Sequence, residues 1–260
     1  MVTREAGRGT VYLVGAGPGA PDLLTLRAAN LIARADIVFH DALIHPETLA
    51  LASRAEKIAV GKRCGRHSTA QRFINKRLLD AAARHDVIVR LKGGDPMLFG
   101  RAQEEIAALE AAHVRVEVVP GVTAALAAAA AIRTSLTQRG SVRSFALATP
   151  RVGDGETASE WIAGLRHADA GAIYMGRREG QAISAALIES GMAPSMPVAI
   201  VVDATLPGAE VHYTTLAQLP GFAERDIRGA ALLLVGPQFR ARSIHSMADD
   251  LDEVALAQRA

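Results

Sequence analysis

The chain has 260 residues, half of them hydrophobic and only 4% aromatic, so its core must be built mainly from Ala, Val, Leu and Ile. This length allows one large domain or two of ordinary size. A net charge of +2 is too small to indicate a nucleic-acid partner, and a single cysteine, Cys64, excludes an internal disulfide.

Three further features concern the cell compartment and metals. Residues 1–10 are polar and lack the apolar centre of a signal peptide. The most apolar segment, 124–132, is too short to span a bilayer. The histidines are scattered, without a Cys/His cluster at metal-ligand spacing. We therefore expect a cytoplasmic protein that binds neither a metal nor a membrane.

In the first half of the chain, short β-branched runs alternate with longer stretches of helical periodicity. Strands are predicted at 11–14, 36–40, 57–60, 87–91 and 114–119. Helices are predicted at 23–33, 103–112 and 123–132, with a further helix that Ser68 and Gln71 would begin as a capping box. This alternation is typical of an open, largely parallel α/β sheet.

The polar stretch 133–142 predicts a linker between two domains, 1–133 and 134–239. Strands of the second block are predicted near 144–148, 172–175, 198–202, 211–214 and 231–235. Pro-Gly followed by alternating residues predicts an antiparallel hairpin in the segment 206–214. Residues 240–260 form a charged tail, for which an exposed helix is one prediction.

The first predicted strand runs into Gly15-Ala16-Gly17-Pro18-Gly19, which suggests a dinucleotide-binding turn. Two features disagree with that interpretation. The third glycine comes one residue early, and Pro18 removes an amide that would face a phosphate. A rigid wall of a binding pocket is the other interpretation of this loop.

The most informative turn is Lys92-Gly93-Gly94-Asp95-Pro96, directly after a predicted strand. Two glycines let the backbone turn sharply and approach a ligand closely, because neither carries a Cβ atom. Asp95 offers an acceptor, and Pro96 ends the strand. The turn suits a small polar ligand held by backbone atoms, although an ordinary strand-ending turn has the same composition.

Asp41 and Lys62 each follow the end of a predicted strand, where ligands of open α/β sheets collect. A carboxylate and an ammonium on one rim can exchange protons with a bound substrate. The alternative for Asp41 is a helix cap for the segment that starts near Pro46.

These motifs, taken together, resemble the tetrapyrrole methylase family over nearly the whole chain, from about Thr10 to Phe239. The matching segments are V-G-A-G-P-G at 14–19, Asp41, V-G-K-R at 60–63, R-L-K-G-G-D-P at 90–96, F-G-R at 99–101, V-V-P-G-V-T at 118–123, Leu136-Thr137 with Arg139, and Y-M-G at 174–176. Several long motifs in the correct order are far more specific than any one of them.

The resemblance implies two α/β domains with S-adenosylmethionine in the cleft between them, no metal, and a homodimer. Within the family, the motifs are most similar to those of members that methylate uroporphyrinogen III twice to give precorrin-2. By position, the cofactor contacts implied are Pro18, Gly93, Gly94, Asp95, Leu98, Thr123, Ala124, Met175 and Ala204. The proton acceptor is implied at Asp41 and the proton donor at Lys62. Uroporphyrinogen carries many carboxylates, so the candidates for binding them are Arg63, Arg66, Arg101 and Arg139.

The chain departs from the family pattern mainly at positions expected to face the substrate. Ala42 stands where an arginine is common beside the catalytic carboxylate, Ala131 replaces a frequent tyrosine, and Arg151 replaces a histidine. Ala204 replaces a late glycine near the expected adenosine site. A methylase of another tetrapyrrole or corrin precursor therefore stays open as an alternative, as does a non-catalytic cofactor-binding paralogue.

Overall fold

The computed structural model describes residues 9–61, 71–153, 159–225 and 227–241. They divide into two compact units with a boundary between Arg133 and Thr134. The segment Asp203–Glu210 groups with the first unit, although it lies within the part of the sequence predicted as the second domain.

The first unit is a parallel sheet of five strands flanked by helices, as the alternating pattern predicts. Its strands, in the spatial order β3-β2-β4-β1-β5, are β1 (Thr10–Gly15), β2 (Ile37–His40), β3 (Glu56–Ala59), β4 (Val87–Lys92) and β5 (Val116–Val119). Its helices are α1 (Leu26–Arg34), α2 (Pro46–Ala50), α3 (Gln71–Ala82), α4 (Ala102–Ala111) and α5 (Ala124–Ala131).

Alternate residues of β1 enter two different cores, because successive side chains of a strand point to opposite faces of its sheet. Val11 and Leu13 pack in a cluster with Leu78 of α3 and Leu109 of α4. On the other face, Val14 belongs to a cluster that includes Ala28, Leu31 and Ile32 of α1. With both faces of the sheet covered, functional side chains can reach solvent only at the strand ends.

The second unit contains a mixed sheet of five strands on a single described core. Its strands, in the spatial order β6-β7-β10-β8-β9, are β6 (Phe145–Ala148), β7 (Ala170–Ile173), β8 (Pro197–Val202), β9 (Glu210–Thr215) and β10 (Ala231–Val235). Its helices are α6 (Trp161–His167), α7 (Gly180–Glu189) and α8 (Leu219–Ala223). β6 runs parallel to β7, whereas β10 is antiparallel to both β7 and β8.

One local prediction for the second half differs from the structure in its bounds. The predicted hairpin extends beyond 206–214, because its Pro-Gly turn lies in the connection 203–209, which joins β8 to β9. The neighbour of β9 in the sheet is β8. The predicted linker contains an isolated bridge between Gln138 and Val142. The predicted tail helix lies in 242–260, outside the described residues.

Within the described ranges, none of the helices has the length and apolar character needed to cross a bilayer.

Each unit uses one aspartate to fix the start of a strand. In the first unit, Asp36 Oδ2 accepts hydrogen bonds from the amides of Asp86 and Val87 at the start of β4. In the second unit, Asp169 Oδ2 accepts from the amides of Arg143 and Ser144 and from the Ser144 hydroxyl, just before β6. These bonds lower the pKa of the Asp169 carboxyl below its ordinary value of 3.8.

We predict that Asp169→Asn destabilises the protein at neutral pH and has less effect in acid. A carboxyl whose pKa is lower in the folded state stabilises that state above the ordinary value of 3.8, and this stabilisation is lost as the pH falls through the folded value. Thermal unfolding of the variant and the wild type at a series of pH values measures the difference. Equal midpoint differences at neutral and acid pH would contradict the prediction.

Asp80→Asn provides a matched control for the physical cause. The exposed ion pair with Lys76 lowers the pKa of Asp80 through a side-chain hydrogen bond. Salt screens such a surface pair but not the amide bonds to Asp169. In 1 M salt the screening length is on the order of 3 Å, so the loss of stability caused by Asp80→Asn should become smaller. The loss of stability caused by Asp169→Asn should persist.

Candidate functional site

Three glycines bring the ends of β1, β4 and β5 into backbone contact. A Cβ atom on Gly15 would lie 2.6 Å from the Gly121 nitrogen and 2.8 Å from the Gly94 carbonyl oxygen. A Cβ atom on Gly121 would overlap the same Gly94 oxygen. Only glycine allows three loops to approach this closely, so the sequence spacing of these glycines has a direct steric cause.

The Gly-rich loop after β1 is paired with the turn after β4. Gly17 and Gly94 exchange two backbone hydrogen bonds, of 3.2 and 2.7 Å, and the amide of Ala16 donates to the Lys92 carbonyl at 2.7 Å. Both glycines have positive φ, at 71° and 66°, a conformation that favours glycine. The next residue, Pro18, has no amide, and the pairing with the turn gives the loop the rigid form predicted for a pocket wall.

Asp95 ties the turn to the loop after β5. Its Oδ1 accepts a hydrogen bond from the Met97 amide at 2.8 Å, and its Oδ2 accepts one from the Gly121 amide at 2.9 Å. The Leu98 amide also donates to the Asp95 carbonyl, at 3.3 Å. The observed role of this carboxylate is thus to hold two loops in register, with Gly93 and Gly94 directly before it.

Gly93 leaves an open, exposed edge on this otherwise tied turn. A Cβ atom added to it would meet nothing within 4 Å, and its φ lies outside the left-handed region. Steric need within the fold therefore does not account for this glycine. An exposed backbone with no side chain beside it fits a ligand that lies directly against the main chain, as a cofactor at this position would.

The segment 203–210 carries the candidate Ala204 to the Gly-rich loop. The Ala20 amide donates to Thr205 Oγ1 at 3.0 Å, and a Cβ atom on Gly19 would lie 2.9 Å from Leu206. Ala204 lies between two residues with positive φ, Asp203 at 46° and Thr205 at 77°. Such left-handed backbone in non-glycine residues is strained and is concentrated at functional sites.

The remaining cofactor candidates lie at the starts of other elements. Thr123 is at the N-cap position of α5, and Ala124 is the first residue of that helix; both are partly buried. Met175, in the second unit, follows β7 with a φ of 57° and an exposed side chain. The backbone of this predicted site residue is therefore strained.

The candidate residues for binding substrate carboxylates are less well placed by the structure. Arg101 forms a two-point ion pair with Glu104, with Nε–Oε1 and Nη2–Oε2 distances of 2.6 and 2.8 Å. Arg139 is exposed in the second unit. Lys62, Arg63 and Arg66 lie outside the described residues.

Asp41 lies at the end of β2, beside the turn after β4. β2 and β4 are neighbours with His40 opposite Leu91, and the Asp41 amide donates to the Leu91 carbonyl at 3.3 Å. The carboxylate Oδ1 accepts a 2.6 Å hydrogen bond from Nη2 of Arg90. A third of the Asp41 side chain stays exposed, and among the described residues no recorded hydrogen bond engages Oδ2. The predicted helix-cap role is not observed, because His45 is the N-cap of α2.

Asp41 is the outermost member of a hydrogen-bonded group that we name the Glu105 network: the buried Arg90, Lys92 and Glu105, with Asp41 and Gln71 at its edges. The Glu105 side chain is fully buried, and its Oε1 accepts from Arg90 Nε and Gln71 Nε2, both at 3.1 Å. Its Oε2 accepts from Lys92 Nζ at 3.0 Å. Two cations and two carboxylates balance, which is the condition for burying charged groups at low cost.

The burial of the network acts differently on its two cations. Burial lowers the pKa of the Arg90 guanidinium, but the Asp41 and Glu105 carboxylates outweigh this effect and raise the pKa above its ordinary value. For Lys92, burial lowers the pKa of the ammonium, and the adjacent guanidinium of Arg90 lowers it further. Arg90 is therefore a permanent positive charge next to Asp41.

Sequence reasoning did not identify Arg90, Lys92 and Glu105 as site residues. The signal that was present is the spacing of Arg90 and Lys92 in an otherwise apolar strand, because alternate residues share one face. Two cations on a buried face require acidic partners. The described residues contain no group of three His, Cys, Asp or Glu side chains arranged to hold a metal ion.

A family model of tetrapyrrole (corrin/porphyrin) methylases matches residues 10–220 of this chain. Among curated proteins, a siroheme synthase of Azotobacter vinelandii is 42% identical over 236 residues, which is 90% of this chain and 51% of that protein. A siroheme synthase of Chromobacterium violaceum is 43% identical over 230 residues, covering 88% and 49% of the two chains. The chain thus spans about half the length of the curated relatives it matches.

Solved structures with this fold include a uroporphyrin-III C-methyl transferase from Thermus thermophilus complexed with S-adenosyl homocysteine. It is 37% identical, with a TM-score of 0.78, and the match covers 88% of this chain and 98% of that chain. A cobalt precorrin-4 methyltransferase is 27% identical with a TM-score of 0.79, and the match covers 93% and 100% of the two chains.

We predict that Glu105→Gln destabilises the protein by about 3–5 kcal/mol, because it leaves two buried cations with one carboxylate between them. Urea unfolding of the variant and the wild type measures the change. Glu104→Gln is the matched control, since Glu104 is the preceding residue of the same helix and its pair with Arg101 is exposed. That control should cost no more than about 1 kcal/mol. Equal costs for the two variants would show that the Glu105 network adds nothing to stability.

Proposed function

The chain belongs to the tetrapyrrole methylase family, and on this basis we propose that it methylates uroporphyrinogen III with S-adenosylmethionine as methyl donor. Two successive transfers would give precorrin-2, on the route to sirohaem and cobalamin. The proposal covers the methyl-transfer activity alone, because the siroheme synthases it matches are about twice as long.

One juxtaposition carries the proposal. The open Gly93 edge and the partly exposed Asp41 carboxylate follow neighbouring strands at the same edge of the parallel sheet. The first feature suits a cofactor held by backbone atoms, and the second suits charge or proton chemistry on a substrate beside it. The relative solved with S-adenosyl homocysteine supports the identity of the ligand class.

S-adenosylmethionine, when bound, supplies an electrophilic methyl group on its sulfonium. The backbone of the Gly93–Gly94 turn, with Pro18, Asp95, Leu98, Thr123, Ala124, Met175 and Ala204, would hold it. Correct alignment of reacting groups by itself contributes about 7–11 kcal/mol to such a reaction. The tied loops around Gly15, Gly94 and Gly121 give the turn the rigidity that alignment needs.

Asp41 would act on the tetrapyrrole. Attack by a pyrrole carbon on the methyl group leaves positive charge on the ring, which a carboxylate stabilises, and a ring proton must then be removed. General-base help of this kind contributes roughly 10²–10⁴-fold.

Lys62 is the proposed proton donor, and Arg63, Arg66, Arg101 and Arg139 are the proposed partners of the substrate carboxylates. We also propose a cytoplasmic homodimer that needs no metal.

A second candidate is methylation of another tetrapyrrole or a corrin precursor. It is favoured by the departures at Ala42, Ala131 and Arg151, which change side chains expected near the substrate. The fold match to a cobalt precorrin-4 methyltransferase shows that the same architecture accompanies a methylase of a different substrate.

The proposed function predicts that the wild-type protein converts uroporphyrinogen III and S-adenosylmethionine to S-adenosylhomocysteine and a twice-methylated product, detected by mass spectrometry. Asp41→Asn should lower kcat by roughly 10²–10⁴-fold with little change in S-adenosylhomocysteine affinity. Asp80→Asn, which removes an exposed carboxylate on α3, is the control and should leave kcat unchanged. Transfer only to a different tetrapyrrole would establish the second candidate, and no transfer to any tetrapyrrole would refute both.

The cofactor site predicts a selective effect of Gly93→Ala. The added methyl group meets nothing in the protein, so stability should not fall, but it would occupy the space proposed for the cofactor. Calorimetry should show S-adenosylhomocysteine binding weakened by about 10-fold or more. Gly164→Ala on α6 is the control, because its added methyl group also meets nothing within 4 Å and lies in a helix outside the site. Unchanged affinity in Gly93→Ala would remove this turn from the cofactor site.

A further inference from the structure

Arg90 is the residue that fixes the geometry of the Asp41 carboxylate. Its charged side chain is only 3% exposed, and the other residues of its strand are mainly apolar. Three different nitrogen atoms of one planar guanidinium have different acceptors. Nη2 donates to Asp41 Oδ1 at 2.6 Å, Nε donates to Glu105 Oε1 at 3.1 Å, and Nη1 donates to the Leu91 carbonyl at 3.1 Å.

Three acceptors in different directions leave the guanidinium no freedom to rotate. The fork of an arginine is rigid, so fixing Nε and Nη1 also fixes the direction in which Nη2 presents its proton. Glu105 is anchored in turn by Lys92 and Gln71, which prevents it from following Arg90 if the guanidinium moves. The Asp41 carboxylate is thus held on its buried side by the Arg90 guanidinium, which is held in turn by Glu105.

We infer that Arg90 is a positioning residue for Asp41 in the proposed methyl transfer, and that Glu105 holds Arg90 in place for this task. The inference rests on the proposed function and adds to it a residue that acts through Asp41 without contacting the substrate. Because Arg90 engages Oδ1, the carboxylate keeps Oδ2 for the reacting ring. The guanidinium next to Asp41 comes from β4 because β2 and β4 are neighbours whose ends meet there.

A purely structural role for Arg90 would give different results from a positioning role. A structural residue affects stability and activity whatever stands at position 41. A positioning residue affects turnover only while the group that it positions is present. A double-mutant cycle between positions 90 and 41 separates the two roles, since groups that act as a unit are not additive.

The test compares the wild type with Arg90→Met, Asp41→Asn and the double variant, with kcat measured on uroporphyrinogen III. We expect Arg90→Met to lower kcat by about 10²-fold, the loss typical of a small misplacement of a catalytic group. In the Asp41→Asn background the same change should lower kcat by less than about 3-fold, because the positioned carboxylate is already gone. The affinity for S-adenosylhomocysteine should stay within about 3-fold of wild type in both backgrounds, because no described contact joins Arg90 to the turn at Gly93.

Arg90→Lys keeps the test valid if Arg90→Met does not fold. Lysine preserves the charge but has no fork, so it cannot hold Asp41, Glu105 and the Leu91 carbonyl at once. We expect this variant to fold and to lose about 10-fold or more in kcat. Lys76→Met is the control for removing a cation, since Lys76 pairs with Asp80 on the exposed face of α3, and its kcat should equal that of wild type.

The outcomes separate this inference from the proposed function. If the wild type turns over and Arg90→Lys has a wild-type kcat, Arg90 does not position Asp41, and the proposed function stands. An equal loss from Arg90→Met with and without Asp41 would likewise overturn the inference alone. If the wild-type protein methylates no tetrapyrrole, the proposed function fails and this inference fails with it.

Discussion

The buried carboxylate of Glu105 is the constraint on which the arrangement of the candidate site depends. β4 is the central strand of the first sheet, and it carries Arg90 and Lys92 on one face beneath α4. Two cations cannot be buried there without negative charge within hydrogen-bond distance. Glu105 bonds to both, so the place of α4 on the sheet is fixed by charge as well as by apolar packing.

The same strand end is held a second time, through its backbone. The Gly17–Gly94 pairing and the two bonds of the Asp95 carboxylate tie the turn after β4 to the loops on both sides. The side chains of the Glu105 network and the backbone bonds of the glycines therefore restrain the end of β4 independently. A segment restrained in this way loses little further freedom when a ligand binds, which is the physical meaning of a preorganised site.

The sequence was sufficient for the elements of the first unit and for the turn, but not for the Glu105 network. β1 and β4 were predicted within one residue at each end, because a buried parallel strand is an apolar run bounded by polar residues. The glycines at 93 and 94 could be recognised because a sharp turn of the backbone is indicated by a short local sequence pattern. The pairing of Arg90 with Asp41 joins residues 49 apart in the chain, and no local periodicity encodes which carboxylate will face a strand.

The hairpin predicted at 206–214 has wider bounds in the structure, for a related reason. Pro-Gly indicates a turn correctly, but the turn belongs to a longer connection between β8 and β9, and its strained residues pack against the Gly-rich loop. A turn signal gives the place where the chain reverses, whereas the strand that precedes it depends on tertiary contacts. Here those contacts place 203–210 in the first unit.

The candidate site presents backbone atoms at one place and side chains at another, and this division has a consequence for specificity. At the turn, the groups available to a ligand are main-chain atoms around Gly93, which substitutions elsewhere leave unchanged. Around Asp41, the groups are side chains, and the guanidinium at the carboxylate is that of Arg90. A fold of this kind can keep one methyl donor while its acceptor changes, since the two depend on different atoms. This separation is consistent with the existence of methyltransferases that share the fold and are named for different tetrapyrroles.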